Sequence, residues 1–155
     1  MRYGLLGAAA AVGLVAHAAS AEPRTIRTGH WSGGAVKDGG CFVEADYRSA
    51  ISLVLVWRGD TLVLVMKHDG WSYRPGEVDE LTVGVDAGFR RKVRAEATAE
   101  HTLRLDFPAG SPFVAALRRG TILKVMRPGA VFRFKLYEIA GALDAIRDCA
   151  AEDRP

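Results

Sequence analysis

The sequence predicts a mainly β protein, an antiparallel β-sandwich or barrel-like sheet with one short connecting helix and a C-terminal helix tied down by a disulfide. Three observations predict it. Short apolar or alternating runs recur along the chain, each bounded by Gly, Pro or Asp, as strands and their turns are. From Ile139 onward the apolar residues switch to an i, i+3, i+4, i+7 stripe, the period of one helix face. The two cysteines, Cys41 and Cys149, follow an export signal, and an even count in an exported chain favours a bridge.

The signal is read first because it is excluded from the fold. Met1-Arg2-Tyr3 is followed by an apolar run from Gly4 to Ala16 and by Ala19-Ser20-Ala21. One basic residue, an apolar core and small residues at the last and third-last positions describe a cleavable secretory signal over residues 1–21. The apolar run falls short of the roughly 20 residues a membrane span needs. What remains, Glu22 to Pro155, is one domain's worth of chain, with no transmembrane segment. The compartment expected is the periplasm or the extracellular medium. The net charge of the whole chain, +3, is too small to argue for nucleic acid as a partner.

Residues 22–40 are rich in Gly, Thr, Ser and charge and read as an extended N-terminal arm on which Trp31 docks against the body. The β-rich domain then spans residues 41–155. Cys41–Tyr47 and the Val/Leu/Ile-rich Ile51–Trp57 are its first strands. Arg58-Gly59-Asp60 turns the chain into Thr61–Lys67, a hairpin. Asp69-Gly70 reads as a second hairpin turn, into Trp71-Ser72-Tyr73. Leu81, Val83 and Val85 alternate with polar residues, a half-buried strand. Phe89–Thr98 puts Phe89, Val93, Ala95 and Ala97 on one face and Arg90, Lys92, Arg94 and Glu96 on the other. His101–Phe107 alternates with Leu103, Leu105 and Phe107 inward. Ser111-Pro112 is an N-cap with proline at the first helical position, and Gly120 stops that short helix. Thr121–Arg127 and Val131–Tyr137 are strands joined at Pro128-Gly129. The last helix, from about Ile139 to Ala150, aligns Ile139, Ala142, Leu143, Ile146 and Cys149 or Ala150, so Cys149 faces inward toward Cys41.

Little in the chain carries reaction chemistry. His68-Asp69 could be half of an acid–base pair, with His101 as a distant third member, but Lys67-His68-Asp69-Gly70 is a sequence in which a turn expects polar residues anyway. Glu77, Asp79, Glu80 and Asp86 cluster along the chain without the alternating ligands, central Gly and terminal Glu of a calcium loop. The sequence has no Gly-x-Ser-x-Gly elbow, no Walker-type loop and no Gly-x-Gly-x-x-Gly, so no catalytic residue, cofactor site or metal site is assigned. Trp57, Trp71 and Tyr73 are brought together by the expected hairpins, as core or as a binding spot. The most suggestive feature is basic: Arg90, Lys92 and Arg94 alternate on one strand, Arg133 and Lys135 on another, and Arg118-Arg119 end the short helix. If the strands are neighbours, these cations form one face for an anionic partner.

Trp31-Ser32-Gly33-Gly34, then Cys41-Phe42, then Trp71, and finally Ala142-Leu143-Asp144-Ala145-Ile146-Arg147-Asp148-Cys149 form an order of motifs that resembles a group of small exported β-domain proteins of Gram-negative bacteria. Phe113–Gly120 is similar to the amphipathic segment of that group. Glu138-Ile139-Ala140-Gly141 departs from its usual Gly-Thr-Ser-like helix cap. More distantly, the architecture resembles the invasion-associated locus B proteins, which implies export and a structural disulfide and carries over no catalytic residue.

The function expected is therefore a non-enzymatic periplasmic or secreted binding module, whose partner is an envelope protein or an anionic envelope component. The alternatives are a secreted host-interaction factor of the invasion-associated kind and an enzyme whose site is assembled from distant residues. Intact-mass measurement of the exported protein is expected to find Glu22 as its first residue. A mass that retains residues 1–21 would identify an uncleaved anchor instead.

Overall fold

The computed structural model describes residues 24–152, so the signal segment lies outside the described residues. In chain order the elements are β1 (Thr25–Thr28), β2 (Trp31–Ala35), β3 (Cys41–Tyr47), β4 (Ile51–Arg58), β5 (Thr61–His68), β6 (Val78–Val85), β7 (Phe89–Ala99), β8 (Thr102–Pro108), α1 (Pro112–Arg119), β9 (Ile122–Arg127), β10 (Ala130–Lys135) and α2 (Ile139–Glu152). The ten strands form one antiparallel sheet in the order β1-β2-β3-β4-β5-β8-β7-β6-β9-β10. Between the sandwich and the barrel-like sheet that the sequence allows, the chain takes a single sheet, and it is not closed into a barrel: β1 and β10 each have one strand neighbour.

The sheet is nevertheless strongly curled. β3 and β10 stand seven places apart, which would separate them by about 34 Å in a flat sheet. Yet the Tyr47 hydroxyl on β3 donates to the Lys135 carbonyl on β10 at 2.9 Å. Trp31 on β2 likewise donates its indole N–H to the Tyr137 carbonyl at 2.8 Å. Strand twist supplies the curvature, and the apolar inner face supplies the reason to use it. Val43, Leu53, Leu64, Val83, Leu105, Leu123 and Phe134 all point inward and are buried. The two helices fill the space they enclose. α2 packs on β1 to β4, and α1 packs on β6 to β8 and on α2.

Both helices follow their sequence signals. Ser111 caps α1, its hydroxyl accepting the Val114 N–H, with Pro112 in the first turn. The stripe Ile139, Ala142, Leu143, Ile146, Cys149 and Ala150 is buried along α2. The Cys41–Cys149 disulfide fastens α2 to β3 with the two Cα atoms 5.9 Å apart. Arg118 at the end of α1 grips Asp144 of α2 through two bonds of 2.7 and 2.6 Å, so this arginine holds the helices together.

Two local expectations are corrected. Residues 25–35, read as an extended arm, form β1 and β2, which add to the sheet beside β3. Gly33 permits it: a side chain there would collide with the Phe42 carbonyl of β3. Trp31 is 1% exposed and does dock on the body. The second correction is Asp69-Gly70, which does not open a hairpin. Residues 71–74 are irregular, and β5 pairs instead with β8. The His68 ring takes the Gly70 N–H at 2.9 Å, and Tyr73 N–H goes to Glu100 O, so the loop's polar groups are satisfied without a strand.

The disulfide closes the largest loop in the fold. Cys41→Ser, or reduction of the bridge, is expected to cost about 2–5 kcal/mol. Thermal melting with and without reductant checks this; an unchanged midpoint would show that helix packing alone holds α2.

Candidate functional site

The outward-facing side chains of β7, β6, β9 and β10 carry most of the basic residues singled out in the sequence. β7 and β10 are not neighbours, because β6 and β9 lie between them. Register nonetheless aligns their charges. Arg90 of β7 pairs with Gly84 of β6, Gly84 pairs with Lys124 of β9, and Lys124 pairs with Arg133 of β10. Paired residues share a face, so Arg90, Lys124 and Arg133 form a row across four strands, about 14 Å long at normal strand spacing. Lys135 sits two residues further along β10 on the same face. Gly84 puts no side chain into the row; a Cβ there would lie 3.2 Å from the Phe89 carbonyl oxygen.

Lys124 is the member the sequence did not announce. It lies in Ile122-Leu123-Lys124-Val125-Met126, a run that reads as plain strand. Only its register with Gly84 and Arg133 gives it a role. Conversely, Lys92 and Arg94 belong to a mixed-charge part of the face. Lys92 pairs with Glu80 at 3.1 Å, and Arg94 stands directly across from Glu80. Arg104 grips Asp106 nearby through bonds of 2.7 and 2.8 Å. Among the described residues, Arg90, Lys124, Arg133 and Lys135 make no ion pair. They are the part of the face with charge to offer.

The row ends at a cleft of about 660 Å³ between β10 and the turn after β3. His30, Tyr47, Arg48, Arg133, Lys135 and Tyr137 line it. The His30 ring meets Tyr47 and Tyr137 edge-on, at 6.1 and 5.7 Å between centroids. The Lys135 ammonium lies 5.9 Å from the centre of the Tyr137 ring, which is 59% exposed. Burial pushes the Tyr47 hydroxyl up to about 12, so it stays protonated and keeps donating to Lys135. Asp46, also at the cleft, accepts the Ser52 hydroxyl at 2.5 Å.

The other sequence candidates are dispersed. His68 and His101 do lie at one end of the β5–β8 pair, but each ring is engaged locally. His68 takes the Gly70 N–H, and His101 Nδ1 is 2.6 Å from the Trp71 carbonyl. Of the aromatic trio, Trp71 and Tyr73 meet edge-on at 5.9 Å. Trp57 does not join them, because it sits beside Cys41 and Leu62 at the far end of β4. The four carboxylates scatter to separate partners. Glu77 accepts the Arg74 N–H, Asp79 accepts the Tyr73 hydroxyl, Glu80 holds Lys92 and Asp86 holds Thr121 and Ile122. Arg127, on the inner face of β9, adds its guanidinium 5.5 Å from the Tyr73 ring centre and 3.7 Å from Asp79. That network anchors the 71–74 loop. Among the described residues no group of three or more His, Cys, Asp or Glu side chains could hold a metal ion.

The molecule is thus an open, curled antiparallel sheet filled by two helices and tied by one disulfide from strand to C-terminal helix, with a basic row ending at an aromatic cleft. A solved structure of the same architecture is that of invasion associated protein B from Bartonella henselae. It superposes with a TM-score of 0.57 at 19% identity, over 81% of this chain and 96% of that one. At that identity the likeness establishes the fold. No family model matches the chain, and no curated protein matches it.

Asp86 ties the end of β6 to the start of β9 beside the row, with positive φ of 48° and its carboxylate accepting the Thr121 hydroxyl and the N–H groups of Thr121 and Ile122. Those bonds, with Lys124 a smaller contributor, hold its carboxyl below the ordinary range. A depressed folded-state pKa contributes stability that is present above the ordinary carboxylate range and is lost as pH falls through the depressed value. Asp86→Asn is therefore expected to lose less stability than the natural protein between neutral and acid pH. Denaturant titrations across that range check it; parallel losses would show that the carboxylate is not held.

Proposed function

We propose that the protein is an exported, non-enzymatic binding module that recognises an anionic partner in the cell envelope through the row Arg90, Lys124, Arg133 and Lys135. The observation that carries the reading is the register of β7, β6, β9 and β10, which aligns these unpaired cations on one face of a rigid sheet. Four like charges within about two Debye lengths, at physiological salt, attract an anionic surface and speed encounter with it. A stable disulfide fits an oxidising compartment. No described helix is long and apolar enough to cross a membrane.

A second reading, release from the cell as a host-interaction factor, is supported by the fold shared with invasion associated protein B. Fractionation separates the two, since protein confined to the periplasm argues against release.

In-cell cross-linking of the tagged protein, with partners identified by mass spectrometry, tests the main reading. Arg90→Glu, Lys124→Glu and Arg133→Glu together are expected to remove the partner while leaving the melting midpoint within a few degrees, because all three side chains point outward. A partner retained by the triple variant, or turnover of a substrate by the purified protein, would overturn it.

A further inference from the structure

We infer that β10 is a docking edge that takes an extended acidic segment of a partner protein as an eleventh strand. The proposal deepens the reading above, since it rests on Arg133 and Lys135 of the same row. It adds a main-chain edge that charge alone does not need.

The edge is open in a defined way. Pro128-Gly129, with Gly129 at φ 79°, makes a two-residue turn between β9 and β10. Residues paired across such a turn alternate between bonding and non-bonding positions. Two bonds fix the alternation: Leu136 N–H goes to Thr121 O, in line with the even-numbered residues of β10 bonding β9, and the Lys135 carbonyl accepts Tyr47 from the opposite side. The N–H and C=O groups of Val131 and Arg133 therefore point away from the sheet, and Arg133 is the one of the two that lines the cleft. Tyr47 pins the far end of the edge and the cleft gives the incoming strand room.

The side chains specify the occupant. A strand added antiparallel would put one set of its residues on the face of Val131, Arg133 and Lys135, all exposed, and the alternate set on the face of Phe132 and Phe134. Residues opposite Arg133 and Lys135 gain from being acidic. Those opposite Phe132 gain from being apolar, since Phe132 is partly buried against His68 and Trp71. Arg48 across the cleft adds a further cation. A second copy of this chain is a poor occupant. Pairing β10 with itself crowds the Arg133 and Lys135 cations of the two copies onto one face, and pairing it with β1 brings them beside Arg27, which shares the outer face with Ser32 and Glu44. The preferred segment is thus an alternation of acidic and apolar residues from another protein.

The probe is the capped peptide Val-Glu-Val-Glu-Val-Glu, titrated against the exported protein. In the proposed pairing the glutamates sit opposite Val131, Arg133 and Lys135; the N–H groups of the first two bond the edge, the third faces Lys135, whose carbonyl Tyr47 already holds, and the N–H groups of the valines face away. N-methylation of the glutamates is expected to weaken binding about tenfold or more, and N-methylation of the valines to leave it nearly unchanged. Arg133→Glu with Lys135→Glu is expected to weaken the unmodified peptide about tenfold, with melting measured alongside. Equal affinity for both methylated peptides, or no binding while the cross-linked partner is still lost on charge reversal, overturns edge docking and leaves the basic-face reading standing. Methylation-sensitive binding with no charge-dependent partner in cells overturns the basic-face reading instead.

Discussion

The whole arrangement depends on filling one face of a ten-stranded sheet. Two sheets facing each other would share that work, but here a single sheet must wrap around its own core, and two short helices are all it has to wrap around. α2 therefore carries much of the closure. Its buried stripe reaches β1 through β4, its link to Cys41 fixes it to the sheet's third strand, and Asp144 holds it to α1 through Arg118. The curvature that brings Tyr47 to Lys135 follows from this packing, and so does the cleft, which is the seam where the wrap stops short of closing.

The fold was legible where patterning and turn chemistry agree. The Val/Leu/Ile runs of β4 and β5, the alternation of β8, the Ser-Pro start of α1 and the stripe of α2 each state their element. The hairpin at Pro128-Gly129 formed, and the one at Asp69-Gly70 did not. Trp71 and Tyr73 could have served as strand residues, but β8 offers β5 a longer apolar partner in Leu103, Leu105 and Phe107. Non-local pairing outweighed the local turn signal. β1 and β2 were hidden for the opposite reason: Gly33 and Gly34 weaken the strand pattern, although Gly33 is what lets β2 lie against β3.

The site was half legible. Alternation located the cations of β7 and β10, since it needs only the strand period. Which strands stand between them depends on crossovers that no local signal encodes, and with them the role of Lys124 and the division of β7 into an unpaired Arg90 and a Lys92 held by Glu80. The aromatic lining of the cleft comes from His30, Tyr47 and Tyr137, which are far apart in the chain and meet only because the sheet curls.

The span of the bridge bears on how the molecule is made. Cys149 follows Cys41 by 108 residues, so the bridge can close only after nearly the whole domain has reached the place where thiols oxidise. With only two cysteines there is a single intramolecular pairing to find, and no shuffled isomer to correct. The one error open to the chain is between molecules, through Cys41 before the last helix arrives. A delay at that stage would leave its trace as covalent dimers, while the finished monomers would all carry the same bond.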